Sequence, residues 1–365
     1  MTLLLEVLRA PARVQSCTPA QCDLLLRQAA SAQLAATLCV RLRAAGVWQQ
    51  LPPAAARQLD WAWRRSLWHL QSARWEVRQI AEALRGQQIQ LILLKGAAYA
   101  MAGLQAGHGR VFSDIDILVP RDRLGDVEAA LMLHGWAGVG HDAYDDYYYR
   151  RWMHELPPMR HIWRGSLIDV HHAILPCSAT ARPDSAQLRA AAQPLPASAA
   201  PAGSAPLYLL APQDLVLHCA SHLLYDSEFG AGLRNLVDLD SLLREYASQA
   251  DFWQQLPARA LALGLVAPLY YALDTAAHLL HTPLPSGLLA QLRQHGPSPR
   301  RAALMRGLLT RALMPEHASC NRADNRLARQ LLYLRATWLR MPPWLLIRHL
   351  ARKAFITPLL ARRAK

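Results

Sequence analysis

The chain has almost no lysine: of its 40 basic residues only Lys95, Lys353 and Lys365 are lysine and the rest are arginine. With the abundance of alanine this is a composition bias, so a basic surface carries less information here than usual, while an isolated lysine carries more. The six cysteines, Cys17, Cys22, Cys39, Cys177, Cys219 and Cys320, form no C-x-x-C pair and no zinc spacing. That excludes a zinc finger or a dithiol redox motif and predicts free thiols in a reducing compartment. The longest apolar run, Leu261 to Leu273, holds Pro268 and ends at Asp274, well short of the ~20 residues needed to cross a bilayer. Met1 to Val14 carries Glu6 inside its only apolar stretch and lacks the basic start and long apolar core of a signal peptide. There is no internal repeat. Together these absences predict a globular, cytoplasmic protein without a transmembrane segment.

What is present is a 365-residue chain of 52% hydrophobic content, enough to bury a substantial core in two or three domains. The net charge of +14 is concentrated at one end: from Arg300 onward 15 Arg and Lys face two acids, Glu316 and Asp324. There Trp338, Trp344 and Phe355 interleave with Arg340, Arg348, Arg352, Lys353, Arg362 and Arg363. Such a basic amphipathic end suits a weak contact with nucleic acid or an anionic membrane, or it is a solvated helical face.

Periodicity divides the chain in three. Residues 1–85 have apolar positions at three- and four-residue spacing and predict an N-terminal helical region. Residues 86–206 begin with a buried-strand run, Ile89 to Leu94, closed by Lys95-Gly96. A helix-competent stretch, Ala97 to Leu104, and the loop Gly107-His108-Gly109 follow. Next comes Ser113-Asp114-Ile115-Asp116-Ile117-Leu118-Val119, ended by Pro120; Asp122 then predicts a helix cap, with Gly135 as the helix stop. Tyr147 to Glu155, Met159 to Trp163 and Ser166 to His172 read as strands, the last two joined by a turn at Arg164-Gly165. Residues 178–206, rich in Ala, Pro and Ser, predict a loose connection. Residues 207–365 predict a C-terminal helical region with the basic tail.

Asp114 and Asp116 carry the most information. Residues i and i+2 of a strand project from one face, so two carboxylates meet there, and adjacent anions repel unless a cation joins them. A divalent-metal site is one reading; two solvent-facing positions of an alternating strand is the other. In Ser166 to His172, alternation places Asp169 and His171 on a common face. His218 and His222, four apart, share a helix face without the Glu of a zinc-protease motif. Arg234 and Asp238, also four apart, are most simply a helix ion pair.

Leu94-Lys95-Gly96, Arg110 to Val119 and Ile168-Asp169-Val170-His171 resemble the blocks of a bacterial family of uncharacterised nucleotidyltransferases in the DNA polymerase β-like nucleotidyltransferase superfamily. The resemblance extends to Leu217-His218, His222 and Leu233 to Leu239. It implies an α+β fold, a small mixed sheet with packed helices flanked by N- and C-terminal helical regions. It also implies two Mg²⁺ ions held by Asp114, Asp116 and Asp169 as catalytic residues, and a nucleoside triphosphate such as ATP on Lys95, Gly96 and Arg110. His171, His218 and His222 are candidate substrate contacts. The implied reaction moves a nucleoside monophosphate to an unidentified acceptor (a small molecule, saccharide, peptide or protein) and releases pyrophosphate. The turn has Ala97 where the superfamily usually has Ser or Gly, which removes a hydroxyl ligand; Lys95 and Arg110 are the cations available in its place. The rival reading is a non-catalytic nucleotide-fold protein that binds through its basic C-terminus.

Overall fold

A computed structural model of the chain describes residues 2–139, 143–226, 229–342, 344, 346 and 347, with 143–145 described as backbone alone. It is a mixed α+β structure. Four helices come first: α1 (Leu3–Arg9), α2 (Pro19–Ser31), α3 (Ala35–Ala44) and α4 (Pro53–Ala83). Helix α2 starts with a capping box, in which the Thr18 hydroxyl accepts from the Gln21 amide and the Gln21 side chain accepts from the Thr18 amide. Helix α4 begins at a proline and buries Leu59, Ser66, Ala73, Val77 and Ile80 along one stripe.

The strands and intervening helices follow as β1 (Leu91–Leu93), α5 (Lys95–Ala102), β2 (Asp114–Leu118), α6 (Leu124–Leu133), β3 (Trp136–Gly138), α7 (Ala143–Trp152), β4 (Met159–His161), β5 (Leu167–His171), α8 (Ser185–Ala190), β6 (Gln193–Pro194) and β7 (Leu207–Leu209). They form one seven-stranded mixed sheet of order β3-β4-β5-β2-β1-β7-β6. Strand β1 pairs antiparallel with β2 and parallel with β7, and β2 pairs parallel with β5. All three β1 side chains are fully buried, which is why that strand reads as an unbroken apolar run rather than an alternating one.

The remaining helices are α9 (Pro212–Tyr225), α10 (Gly232–Tyr246), α11 (Phe252–Ala262), α12 (Val266–Leu280), α13 (Leu288–Arg293), α14 (Pro299–Ala312) and α15 (Ala323–Arg340). Buried apolar side chains from Leu4 to Leu332 form one contiguous core. Arg41 on α3 reaches Asp240 on α10 at 2.7 Å, and Asp240 is fully buried and also accepts from Arg244 and Thr282. A buried charge is tolerated only when paired in this way, and the cluster ties the N-terminal helices to the helix that walls the site described below.

Four expectations are corrected. Tyr147 to Glu155 is mostly helix α7, not strand. Aromatic β-propensity depends on a half-buried sheet face; here Tyr147 is exposed and Arg150 pairs with both Asp146 and Glu128. Asp122 caps nothing; it lies in a 3₁₀ turn, Arg121–Arg123, and α6 begins after it without a side-chain cap. Residues 178–206 hold α8 and β6, and the next residues form β7 beside β1, so this connection completes the sheet. Arg234 and Asp238 do not pair with each other: Asp238 pairs with Arg110, and Arg234 bonds Gln33. Of the basic tail, Arg348, Arg352, Lys353, Phe355, Arg362 and Arg363 lie outside the described residues.

Gly109 is where the N-terminal helices meet the loop leading to Asp114. Its φ is +76°, and a Cβ there would stand 2.5 Å from the Thr37 amide nitrogen and 2.7 Å from the Ala36 carbonyl carbon. Backbone cannot yield as a side-chain tip can, so Gly109→Ala is expected to destabilise the protein by about 2–3 kcal/mol. A thermal melt checks this, and an unchanged midpoint would contradict the close approach.

Candidate active site

The site grows from the register of β2 and β5. Their parallel pairing sets Asp116 opposite Asp169, and Leu118 opposite His171. Asp116 is 3% exposed and its Oδ1 accepts from Lys95 Nζ at 2.7 Å and lies 2.9 Å from His171 Nε2. On its other side His171 Nδ1 stands 3.2 Å from Glu155 Oε2. Asp116, Asp169 and His171 each offer a donor atom within 4.8 Å of the others, as do His154, Glu155 and His171. Asp114 accepts from the Ser113 hydroxyl at 2.7 Å and is absent from both groups.

The electrostatics follow from burial and sign. Burial would raise the Asp116 carboxyl, but Lys95 and His171 together hold it well below the usual carboxylate range. Burial likewise works to lower Lys95, and Asp116 outweighs it, so the ammonium is held above its ordinary value. For Asp169 the opposing pull of His171 is outweighed. Burial first, then the Asp116 and Glu155 carboxylates, push it up to about 7. Glu155 is also raised, chiefly by burial. The cluster therefore contains one satisfied carboxylate and a second whose charge is unmet, the situation a bound cation relieves.

Lys95 supplies the first cation by an unusual route. Its φ is +45°, a left-handed conformation that costs a non-glycine residue of order 1–2 kcal/mol. The Leu94 amide still bonds the Asp116 carbonyl at 3.0 Å, so the β1–β2 pairing runs up to this turn.

Around Asp114 and Asp116 is a cavity of about 180 Å³ walled by Lys95, Gly96, Arg110, His222, Arg234 and Asn235. Arg110 pairs with Asp238 on α10, and its Nε is buried without a hydrogen-bond partner. The Arg234 guanidinium is lowered to about 10 by burial and by nearby Arg110. Gly96 has no space for a side chain: a Cβ would meet the Phe112 ring at 2.7 Å and Arg110 Nε at 2.9 Å. Gly96→Ala is thus expected to push the Phe112 ring or the Arg110 guanidinium aside and to destabilise the protein by about 1–2 kcal/mol. A thermal melt with an unchanged midpoint would contradict the tight fit.

Of the histidines singled out by sequence, His222 lines the cavity and sits 3.7 Å from Asp226, whereas His218 is buried and is not on the wall. Burial lowers both, His218 to about 3, so they are neutral. Sequence reasoning missed Glu155, Phe112 and Asn235. Glu155 follows α7 in a stretch read as strand, and its bridge to His171 has no spacing signature.

One comparison bears on this geometry. The family model for a family described as uncharacterised nucleotidyltransferases matches residues 18–281 of the chain. No curated protein and no solved structure matches.

Proposed function

The chain belongs to the uncharacterised nucleotidyltransferase family, and from that premise we propose that it transfers a nucleoside monophosphate from a triphosphate to an acceptor oxygen in a Mg²⁺-dependent reaction. The observation that carries this reading is the convergence of Asp116, Asp169 and His171 within 4.8 Å, beside a cavity that Lys95 and Arg110 make basic. The polymerase β-like core would span residues 86–206, flanked by the helical regions 1–85 and 207–365.

The donor set fits a divalent cation. Asp169 carries an unmet charge, and Asp114 and Asp116 face the same cavity. Asp116 and Asp169 would hold the metal with Asp114 completing the carboxylates, and when bound it would neutralise charge on the phosphate oxygens. Lys95 and Arg110 bind and orient the triphosphate; Arg110 Nε, buried and unpartnered, is a donor awaiting an acceptor. The acceptor oxygen forms its bond to the α-phosphorus as the bond to the bridging oxygen breaks, and that electron pair leaves with pyrophosphate. A hydroxyl acceptor's proton passes to a carboxylate, with Asp169, set opposite Asp116 by the strand register, the one proposed for the task. His171, whose Nε2 meets Asp116 Oδ1 with Glu155 near its other nitrogen, positions Asp116.

The test is release of pyrophosphate from each of the four common triphosphates, with cell extract as acceptor source, with and without Mg²⁺. Absence of release under every condition would count against transfer. One observation favours a second reading, non-catalytic nucleotide binding: Lys95 Nζ already occupies Asp116 Oδ1. Calorimetry separates the two, because that rival requires tight binding that is indifferent to Mg²⁺.

A further inference from the structure

We propose that the large cavity beside the transfer site is the acceptor pocket and that its occupant carries an anionic group on an apolar or aromatic body. This rests on the transferase reading above. The cavity measures about 870 Å³, inside the roughly 300–1,000 Å³ typical of small-molecule sites. The site cavity, at about 180 Å³, holds only about six waters at ~30 Å³ each.

Placement argues for an acceptor. The two cavities share Val111, Ser113, Ala231 and Arg234, while Lys95, Gly96, Arg110 and Asp116 line the small one alone. The two cavities therefore meet at Val111, Ser113, Ala231 and Arg234, so a molecule in the large pocket can reach toward the site cavity. An in-line displacement brings its nucleophile from the side opposite the departing pyrophosphate.

Composition argues for the class. Arg57, Arg65 and Arg234 line the pocket, and among the described residues no Asp or Glu does. Arg57, Trp61 and Arg65 are four residues apart on α4 and so share a face, with Arg65 Cζ 5.8 Å from the Trp61 ring centre and Trp61 65% exposed. Leu26, Ala30, Ala36 and Leu59 provide an apolar floor. At the seam, Arg234 Nη1 bonds Gln33 while its Nε is buried with no hydrogen-bond partner. Arg65 beside the Trp61 ring offers a guanidinium next to an aromatic face, and Arg234 adds an unpartnered donor at the seam; such a set recognises a phosphate or carboxylate on a flat body.

The experiment titrates the full-length protein with 1-naphthyl phosphate, 1-naphthoate and neutral 1-naphthol, with and without saturating Mg²⁺ and the non-hydrolysable ATP analogue AMPCPP, following tryptophan quenching. One or both anions should bind saturably in the presence of nucleotide, with naphthol weaker by about tenfold. The stronger anion identifies phosphate or carboxylate as the group recognised. The double variant Arg57→Gln/Arg65→Gln should weaken the anions about tenfold while AMPCPP affinity moves less than about twofold. Equal binding of naphthol, no anion binding, or displacement of the anions by AMPCPP would overturn the assignment, the last by making the pocket the nucleoside's. Naphthyl phosphate binding without AMPCPP binding would instead count against the transferase reading alone.

Discussion

Asp116→Asn is expected to lower kcat/KM for triphosphate turnover by about 10³, equivalent to roughly 4 kcal/mol of transition-state stabilisation. The side chain keeps its shape, but Lys95 and His171 lose the anion both are aimed at. Lys95 then loses its paired carboxylate and keeps only the more distant Asp114 and Glu155, so the variant is also expected to be less stable, by about 1–3 kcal/mol. Pyrophosphate release and a thermal melt should fall together. A variant with near wild-type turnover would place the chemistry elsewhere.

Asp169→Asn should separate the two quantities. Its carboxyl titrates near 3.8 without the protein environment and at about 7 in the fold. A carboxyl raised by folding is penalised when ionised: the cost is fully present above pH 7, shrinks as pH falls toward 3.8, and is gone below that. In metal-free buffer at pH 8 the Asn variant should therefore be more stable than wild type, by on the order of 2–4 kcal/mol. The advantage should vanish on acidification through this window. Excess Mg²⁺ should stabilise wild type and not the variant, since a ligand stabilises only the state that binds it. Turnover should be lost throughout. A variant less stable than wild type at pH 8 without metal would mean that the Asp169 charge is already met within the fold.

How far the site was legible depends on whether its contacts follow the backbone period. Asp114 and Asp116 could be found because strand side chains repeat every two residues, and the same rule put Asp169 and His171 on one face. The rule could not say that β2 and β5 are neighbours, let alone parallel and in the register that sets Asp116 against Asp169. Glu155 was invisible: its approach to His171 depends on where α7 ends. The Arg234–Asp238 pair failed for a related reason. Four-residue spacing makes an ion pair available within a helix, but Arg110, from a distant loop, reaches Asp238 first and leaves Arg234 to the seam between two cavities.

The notion of a cation between two carboxylates was altered most. Repulsion between Asp114 and Asp116 was the premise, yet Asp114 turns to Ser113, Asp116 is met by Lys95 and His171, and the unmet charge is Asp169. By itself the sequence determined the helical ends, the apolar strand before Lys95-Gly96 and the carboxylates as a group, because propensity and periodicity are local. Only the tertiary structure decided which carboxylate is satisfied and which is not. Charge compensation depends on distances of a few ångströms between strands far apart in the chain, and on burial that no local pattern encodes.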